Sequence, residues 1–218
     1  MFDLTLSFDN GPHPQVTPEV LAVLSGHGVK ATFFTIGRQL AAPGGMALAE
    51  RAWAEGHWIG NHTWTHSTPL GESAASDLVE AELASTQRLL APLAHAHRWF
   101  RPFGGGGNLD RRLLRDDTVA WLEAERMSCV LWNAVPRDWA DIDGWVETAL
   151  TQCAAQPWTL LVLHDLPTGA MRHLPRFLDQ ARARGARFRQ DFPPDCVPML
   201  DGRVVRPLAP YITEKEAA

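Results

Sequence analysis

The chain has 218 residues, a net charge of −5 at pH 7 and a hydrophobic fraction of 45%, as is ordinary for one globular domain with a full core. Basic residues are scattered among acidic ones, so no nucleic-acid partner is predicted. No apolar run is long enough to span a bilayer and no leader pattern precedes the first strand, so we expect a cytoplasmic protein, or a secreted one whose leader has been removed.

The predicted elements alternate between strands and helices. Leu4, Leu6 and Phe8 alternate with polar residues, which is the period of a strand, and the turn-forming residues 10–12 end it. A helix follows from Thr17 to the glycines at 26 and 28. Further strands are predicted at 30–36, 57–59, 98–100, 127–132, 158–163 and 186–188, and further helices at 46–55, 73–90, 109–125, 144–155 and 171–184.

Seven strands that alternate with helices predict an α/β fold with parallel pairing and right-handed crossovers. A closed or nearly closed barrel is favoured, and an open doubly wound sheet is the alternative. We expect residues 1–190 to form this single domain, and the proline-rich residues 191–218 to form a strap packed on it or trailing from it. The three cysteines are far apart and odd in number, so we interpret them as core residues rather than a disulfide framework. The oligomeric state is not predicted.

Polar residues follow the predicted strands, where α/β folds keep their chemistry. Asp9 and Asn10 come directly after the first strand, and His62 and His66 follow the strand at 57–59. Two imidazoles four residues apart can share one metal ion, although this spacing alone is a weak signal. Their position at a strand end strengthens the interpretation.

Three later strands also run into polar residues, namely Arg101, Asp138 and His164. Each alone is more typical of a structural ion pair or a loop. Together with the first group they bring carboxylates, imidazoles and a guanidinium to one rim, a set that suits metal-assisted hydrolysis with a separate base and acid. Some of the nine tryptophans could provide flat walls for a sugar ring at that rim.

Five segments together carry a resemblance to a known family. In chain order they are 8–12 (FDNGP), 62–66 (HTWTH), 101–104 (RPFG), 138–139 (DW) and 163–165 (LHD). They resemble the ordered motifs of the polysaccharide deacetylases, carbohydrate esterase family four, which include the chitooligosaccharide deacetylase homology domain. The resemblance covers about residues 3–190. It implies a distorted (β/α)7 barrel and a metal-assisted hydrolase that removes N-acetyl groups from an amino sugar, oligosaccharide or polysaccharide.

The resemblance also implies roles for single residues. Asp9 would be the general base that accepts a proton from the attacking water, and Arg101 would hold its carboxylate. His62 and His66 would bind a divalent metal, usually zinc in this family.

The two remaining segments would carry the acid and the substrate pocket. His164 would protonate the leaving amine, and Asp138 would orient and charge it. Trp139 and Leu163 would wall a small apolar pocket for the acetyl methyl group.

The match departs from the family pattern at two places. The family has a second aspartate, the third metal ligand, where this chain has Asn10. A neutral amide oxygen can ligate a metal but lacks the charge attraction, so we expect weakened metal binding. Alternatively, Asp9 turns to the metal, or the site holds none. The third motif, with four glycines after Phe103, leaves open the position of Arg101 and the shape of the groove.

Three functional interpretations therefore stand. The first is a deacetylase of an N-acylated sugar, with a soluble substrate such as a short chitooligosaccharide favoured by the expected cytoplasmic location. The second is hydrolysis of another non-peptide carbon–nitrogen bond in a small N-acyl substrate, as in allantoinase-like or deformylase-like relatives. The third is a catalytically inactive, glycan-binding relative.

Overall fold

The fold is built on one curled sheet, which a computed structural model describes for residues 1–213. The strands are β1 Phe2–Asp9, β2 Thr32–Thr35, β3 Trp58–Asn61, β4 Trp99–Phe100, β5 Ser128–Cys129, β6 Trp158–His164, β7 Ala186–Arg189, β8 Met199–Leu200 and β9 Arg203–Val204.

Seven α-helices lie between these strands in the described residues. They are α1 Val16–His27, α2 Gly37–Ala41, α3 Gly45–Ala54, α4 Ser85–Leu90, α5 Asp116–Ala124, α6 Trp145–Ala154 and α7 Leu174–Ala183. A π-helical segment, Val79–Ala84, runs directly into α4.

The sheet has the strand order β6-β1-β2-β3-β4-β5, and each of these neighbours is parallel. β7 pairs with the first half of β1 and β2 with its last residues. An isolated parallel bridge between Ala134 and Leu161 joins the segment after β5 to β6. The sheet therefore curls into the distorted barrel that the sequence predicts.

The sheet is not parallel throughout, because two strands from the end of the chain extend it. β8 pairs antiparallel with β5, and β9 pairs antiparallel with β8. Asp201 and Gly202 both have positive φ (51° and 76°) in the turn between β8 and β9, as a tight hairpin requires. The expectation of parallel strands alone missed this hairpin, whose strands have only two residues each.

Side chains along β1 point alternately toward the helical layer and into the barrel interior. Leu4, Leu6 and Phe8 are fully buried in the large apolar cluster that includes side chains of α1, α6 and α7. The intervening Ser7 and Asp9 contact the guanidinium of Arg101 within the barrel. β1 is therefore buried on both faces, as a central parallel strand should be.

Two predicted helices differ from the structure. Residues 73–78 are outside any long helix, and the predicted helix at 73–90 is a π-helical segment followed by α4. The helix predicted from residue 109 begins only at Asp116, because Asp110 accepts from the backbone N–H of Arg112 and closes a separate 3₁₀ turn at Arg111–Leu113. This local side-chain bond competes with helix formation.

All three cysteines are free and buried, as predicted. In residues 1–213 no helix has the length and apolar character that crossing a membrane requires.

Candidate active site

The candidate site lies at the carboxyl ends of the parallel strands. The register places Asp9 of β1 beside His164 of β6 on one side and Phe34 of β2 on the other. A pocket of about 320 Å³ opens there, and Asp9, Asn10, His62, His66, Trp139 and His164 line it. The structure thus brings most of the sequence-predicted site residues into one cavity.

A buried ion pair fixes the carboxylate of Asp9. Arg101 Nη1 lies 2.8 Å from Asp9 Oδ1, and the two side chains are 0% and 6% exposed. The same nitrogen donates to Ser7 Oγ at 2.7 Å. Because Oδ1 is engaged by Arg101, Oδ2 is the oxygen that remains for other partners.

The guanidinium of Arg101 is held from several sides. Nε donates to the Val130 carbonyl at 3.3 Å and Nη2 to the Leu131 carbonyl at 3.2 Å. The ring of Phe34 lies under the guanidinium, 4.0 Å from Cζ to the ring centroid. The altered third motif therefore still delivers Arg101 to Asp9, as the resemblance implied.

His62 is oriented by the backbone. Its Nδ1 donates to the Arg101 carbonyl at 2.8 Å, which leaves the lone pair on Nε2. Nε2 lies 3.5 Å from Asp9 Oδ2. Burial lowers the pKa of His62 to about 3, so the imidazole is neutral at physiological pH and can act as a ligand.

His66 completes the imidazole pair. Its ring centroid lies 4.6 Å from that of His62 and 3.9 Å from that of Phe103. Burial and the neighbouring His62 lower its pKa to about 2, so it too is neutral. Its backbone has φ 52°, a conformation that non-glycine residues adopt rarely.

Asn10 presents an acceptor without a partner. Its φ of 78° lies in the left-handed region, which asparagine tolerates better than most residues. The side-chain Oδ1 is buried and has no hydrogen-bond partner in residues 1–213. An ordered water or a bound ion commonly satisfies such an atom.

These donors fit a divalent cation. Two neutral imidazoles, an orphaned amide oxygen and a carboxylate oxygen all line one pocket, and the facing lone pairs of His62 Nε2 and Asp9 Oδ2 favour a cation between them. In the described part of the chain no group of three or more His, Cys, Asp or Glu side chains is arranged as a metal site. A set of three ligands that includes His62 and His66 therefore needs the amide oxygen of Asn10.

His164 and Asp138 form a second pair at the pocket, where His164 lies on the strand next to Asp9. Asp138 Oδ1 accepts from His164 Nδ1 at 2.8 Å, and its Oδ2 accepts from the His164 backbone N–H at 3.0 Å. Burial alone would lower the pKa of His164, but the hydrogen bond and charge of Asp138, with Asp9 and Asp165, raise it above its usual value. His164 therefore keeps a proton on Nε2 to higher pH than a free imidazole does.

The predicted apolar wall is only partly correct. Trp139 lines the pocket and packs edge-on against His164, with ring centroids 4.6 Å apart. Leu163 is fully buried in the apolar cluster beneath the helices and does not line the pocket. Side chains alternate along β6, so Val162 and His164 face the pocket and Leu163 faces away.

Trp132 is a pocket residue that the sequence did not single out. Its Nε1 donates to the Gly107 carbonyl at 3.1 Å, and a Cβ on Gly104 would lie 2.4 Å from its ring. The glycines after Phe103 therefore allow the loop to lie directly against the indole. Because residue 132 only ends a predicted apolar strand, no motif pointed to it.

Asp165 supports the turn that carries Asp9 and Asn10. It is fully buried, accepts a hydrogen bond from Thr17 Oγ1, and leaves no space for a Cβ on Gly11. Burial raises its pKa to about 6. In the sequence, only the position of Asp165 beside His164 in the last motif pointed to this residue. That position did not show which element Asp165 contacts.

Comparison with known proteins agrees with this geometry. A polysaccharide deacetylase family profile matches residues 3–118. A chitooligosaccharide deacetylase of Sinorhizobium fredii is 34% identical over 164 residues, which are 73% of this chain and 70% of the relative. A peptidoglycan-N-acetylglucosamine deacetylase of Bacillus cereus is 28% identical over 191 residues, which are 85% of this chain and 66% of the relative.

Solved structures share the fold. A peptidoglycan N-acetylglucosamine deacetylase in complex with 4-naphthalen-1-yl-N-oxidanyl-benzamide superposes with a TM-score of 0.71 at 26% identity, covering 92% of this chain and 90% of that one. A CE4 family pseudoenzyme from Bacillus anthracis superposes with a TM-score of 0.70 at 22% identity, covering 85% and 62%. The profile match and the relative at 34% identity establish that the chain belongs to the polysaccharide deacetylase family.

Proposed function

We propose that the protein is a metal-assisted hydrolase that removes N-acetyl groups from amino sugars in an oligosaccharide or polysaccharide. The observation that carries this proposal is the arrangement of two pairs around one pocket: Asp9 with Arg101, and His164 with Asp138. Hydrolysis of an amide needs a proton acceptor for water and a proton donor for the leaving nitrogen. The two pairs supply one of each.

A divalent metal, most consistent with zinc, would be held by His62, His66 and Asn10. When bound, it would polarise the acetyl carbonyl and lower the pKa of the attacking water. Imidazole ligands suit zinc, and a neutral amide in the third position predicts weaker binding than a carboxylate would give.

Asp9 is the base in this proposal. Arg101 holds Oδ1, so Oδ2 accepts the proton of the water whose oxygen bonds to the acetyl carbon. The buried guanidinium of Arg101 lies against Asp9 in a site with little solvent and fixes the direction of its free oxygen. The alternative, in which Asp9 is itself a ligand, has the support of its 3.5 Å approach to His62.

His164 is the acid. Asp138 occupies its Nδ1, so Nε2 carries the proton that passes to the sugar nitrogen as the carbon–nitrogen bond breaks. The products are acetate and a free amine. The charge of Asp138 stabilises the imidazolium before the transfer, in the same way that a buried carboxylate orients histidine in other acid–base pairs.

The substrate class is an N-acetylated amino-sugar chain. The relatives named above are chitooligosaccharide and peptidoglycan N-acetylglucosamine deacetylases. Trp139, Val162 and Leu166 supply an apolar lining suited to the acetyl methyl group.

Acetate release tests the proposal directly. Purified protein, its metal content measured beforehand, is incubated with N-acetylated chitooligosaccharides or peptidoglycan fragments, with and without added zinc. We expect acetate release that increases with zinc. Bound metal with no acetate from either substrate would move the assignment to hydrolysis of another carbon–nitrogen bond.

Asn10 favours one second candidate, a glycan-binding relative without activity, because the amide lacks the charge of the usual aspartate. This candidate predicts saccharide binding without acetate release at any zinc concentration.

A further inference from the structure

The loop that carries His62 and His66 has a strained backbone. Thr63 and His66 have φ of 66° and 52°, in the left-handed region that β-branched residues in particular avoid. Such conformations persist only where surrounding contacts hold them. The two imidazoles therefore depend on whatever fixes residues 62–66.

The carboxylate of Glu82 contacts this loop at three points. Its Oε2 accepts from the backbone N–H groups of Trp64 and Thr65 at 2.9 and 2.8 Å. Its Oε1 accepts from Thr65 Oγ1 at 2.6 Å. Hydrogen bonds to a charged acceptor are stronger than neutral ones, so Glu82 holds residues 64 and 65 by three strong bonds from one side chain.

The opposite side of the loop is held by backbone groups. The N–H groups of Gly37 and Arg38, at the start of α2, donate to the carbonyls of Thr63 and Trp64 at 2.9 and 3.1 Å. The loop is thus fixed by its carbonyls on one side and by its N–H groups on the other.

Glu82 lies within the π-helical segment Val79–Ala84, where the Ser85 N–H bonds to the Glu80 carbonyl five residues earlier. Such wide turns occur frequently at functional sites because they change the direction of neighbouring side chains. Asn61, the residue before His62, donates from Nδ2 to the Leu83 carbonyl at 3.0 Å. The segment therefore contacts the histidine loop through two adjacent residues.

We propose that Glu82 is a positioning residue of the metal site, and that its carboxylate holds the strained loop so that both imidazoles point into the pocket. This inference rests on the proposed function in assuming that the pocket binds a metal. Glu82 acts only through the loop, since it does not line the pocket.

Zinc affinity tests the role of Glu82. Dissociation constants are measured by competition with a chromophoric chelator for wild type, Glu82→Gln and Glu82→Ala. We expect affinity to fall about tenfold to a hundredfold in Glu82→Ala, the range typical for loss of a group that orients metal ligands, and less in Glu82→Gln, which keeps one acceptor oxygen. Glu80→Gln is the matched control, because Glu80 lies on the same segment but is exposed and pairs with Arg88; its zinc affinity should stay at the wild-type value.

Amide hydrogen exchange on metal-free protein provides a readout independent of metal and activity. We expect faster exchange at residues 62–67 in both Glu82 variants and no change there in Glu80→Gln. A lower melting temperature with unchanged zinc affinity and unchanged exchange in this loop would overturn the proposal, because it would show a role in general stability alone. Wild-type protein that binds zinc but releases no acetate would refute the proposed function and not this inference. Wild-type protein that binds no zinc would overturn this inference, whatever the exchange result.

Discussion

Replacing Asn10 with aspartate would restore the family's usual charge at the third ligand position of the proposed metal site. Asparagine and aspartate have the same shape and both tolerate the φ of 78° found here, so the backbone should not change. The buried Oδ1 has no partner in residues 1–213, and in the variant this atom becomes part of a carboxylate. The substitution therefore adds a charge to the ligand and replaces the Nδ2 donor with an acceptor oxygen, at nearly unchanged shape.

We expect the charge added by Asn10→Asp to destabilise the metal-free protein and to stabilise the metal-bound protein. Without metal, the new carboxylate lies beside Asp9, one oxygen of which is already paired with the buried guanidinium of Arg101. We expect this unpaired charge to cost about 1–2 kcal/mol, or about 2–8 °C in melting temperature for a chain of this size. With a divalent ion the same charge attracts, and zinc affinity should rise about tenfold to a hundredfold, ~1.4–2.8 kcal/mol.

Calorimetric titration with zinc and thermal unfolding with and without zinc measure both effects. The new carboxyl group should have a raised pKa in the metal-free fold, so its destabilisation is present at neutral pH and is relieved as the pH falls through that pKa. Gln15→Glu, which adds the same charge at an exposed position near this turn, is the control for zinc affinity and should leave it unchanged. Zinc affinity equal to that of wild type in Asn10→Asp would show that Asn10 is not a ligand, and the three-residue site would be refuted.

Four further predictions follow from the two charged pairs and from the alternation of β6. His164→Ala should lower turnover by about 10²–10⁴-fold at unchanged zinc content; a parallel loss of zinc would show that His164 is a ligand. Because its pKa is raised, His164 stays protonated to higher pH, and kcat/KM should fall as the pH rises through that pKa. Asp138→Asn removes the charge that raises the pKa, so this fall should move to lower pH. An unchanged pH profile in Asp138→Asn would contradict the pairing of His164 with Asp138. Arg101→Met leaves Asp9 buried and unpaired, so it should lower the free energy of unfolding, measured in urea, by about 3–5 kcal/mol. The control Arg88→Met removes an exposed ion pair and should change this free energy little. Equal effects of the two substitutions would show that the buried pair does not stabilise the fold more than the exposed one. Leu163→Ala should cost about 2–5 kcal/mol of stability with KM unchanged, and Val162→Ala should raise KM; the opposite result would restore Leu163 to the pocket.

The position of polar residues directly after predicted strands was sufficient to predict most of the candidate site. Because the carboxyl ends of parallel strands meet at one edge, Asp9, His62, Arg101 and His164 could be brought together before any distance was known. Leu163 shows the limit of this logic, because the direction of a side chain in a strand buried on both faces is not visible in a continuously apolar run.

Contacts between distant segments were outside the reach of the sequence. Glu82 is one of several acids in a helical pattern, and only the widened turn directs it to residues 64 and 65. The hairpin of β8 and β9 was missed for a related reason, since a strand of two residues has no detectable period. In both cases the information lies in tertiary packing rather than in local pattern.

The closure of the barrel beside the pocket depends on few contacts. The backbone N–H of Val162 donates to the Ala134 carbonyl at 3.0 Å, and the Asn133 side chain bonds to the backbone of Trp158 and Leu160. By contrast, β1 and β6 pair along seven residues. Local opening at this seam should require less free energy than separating those strands. An opening at this seam would separate Trp132 from Val162 and leave the paired strands β1 and β6, which carry Asp9 and His164, in place.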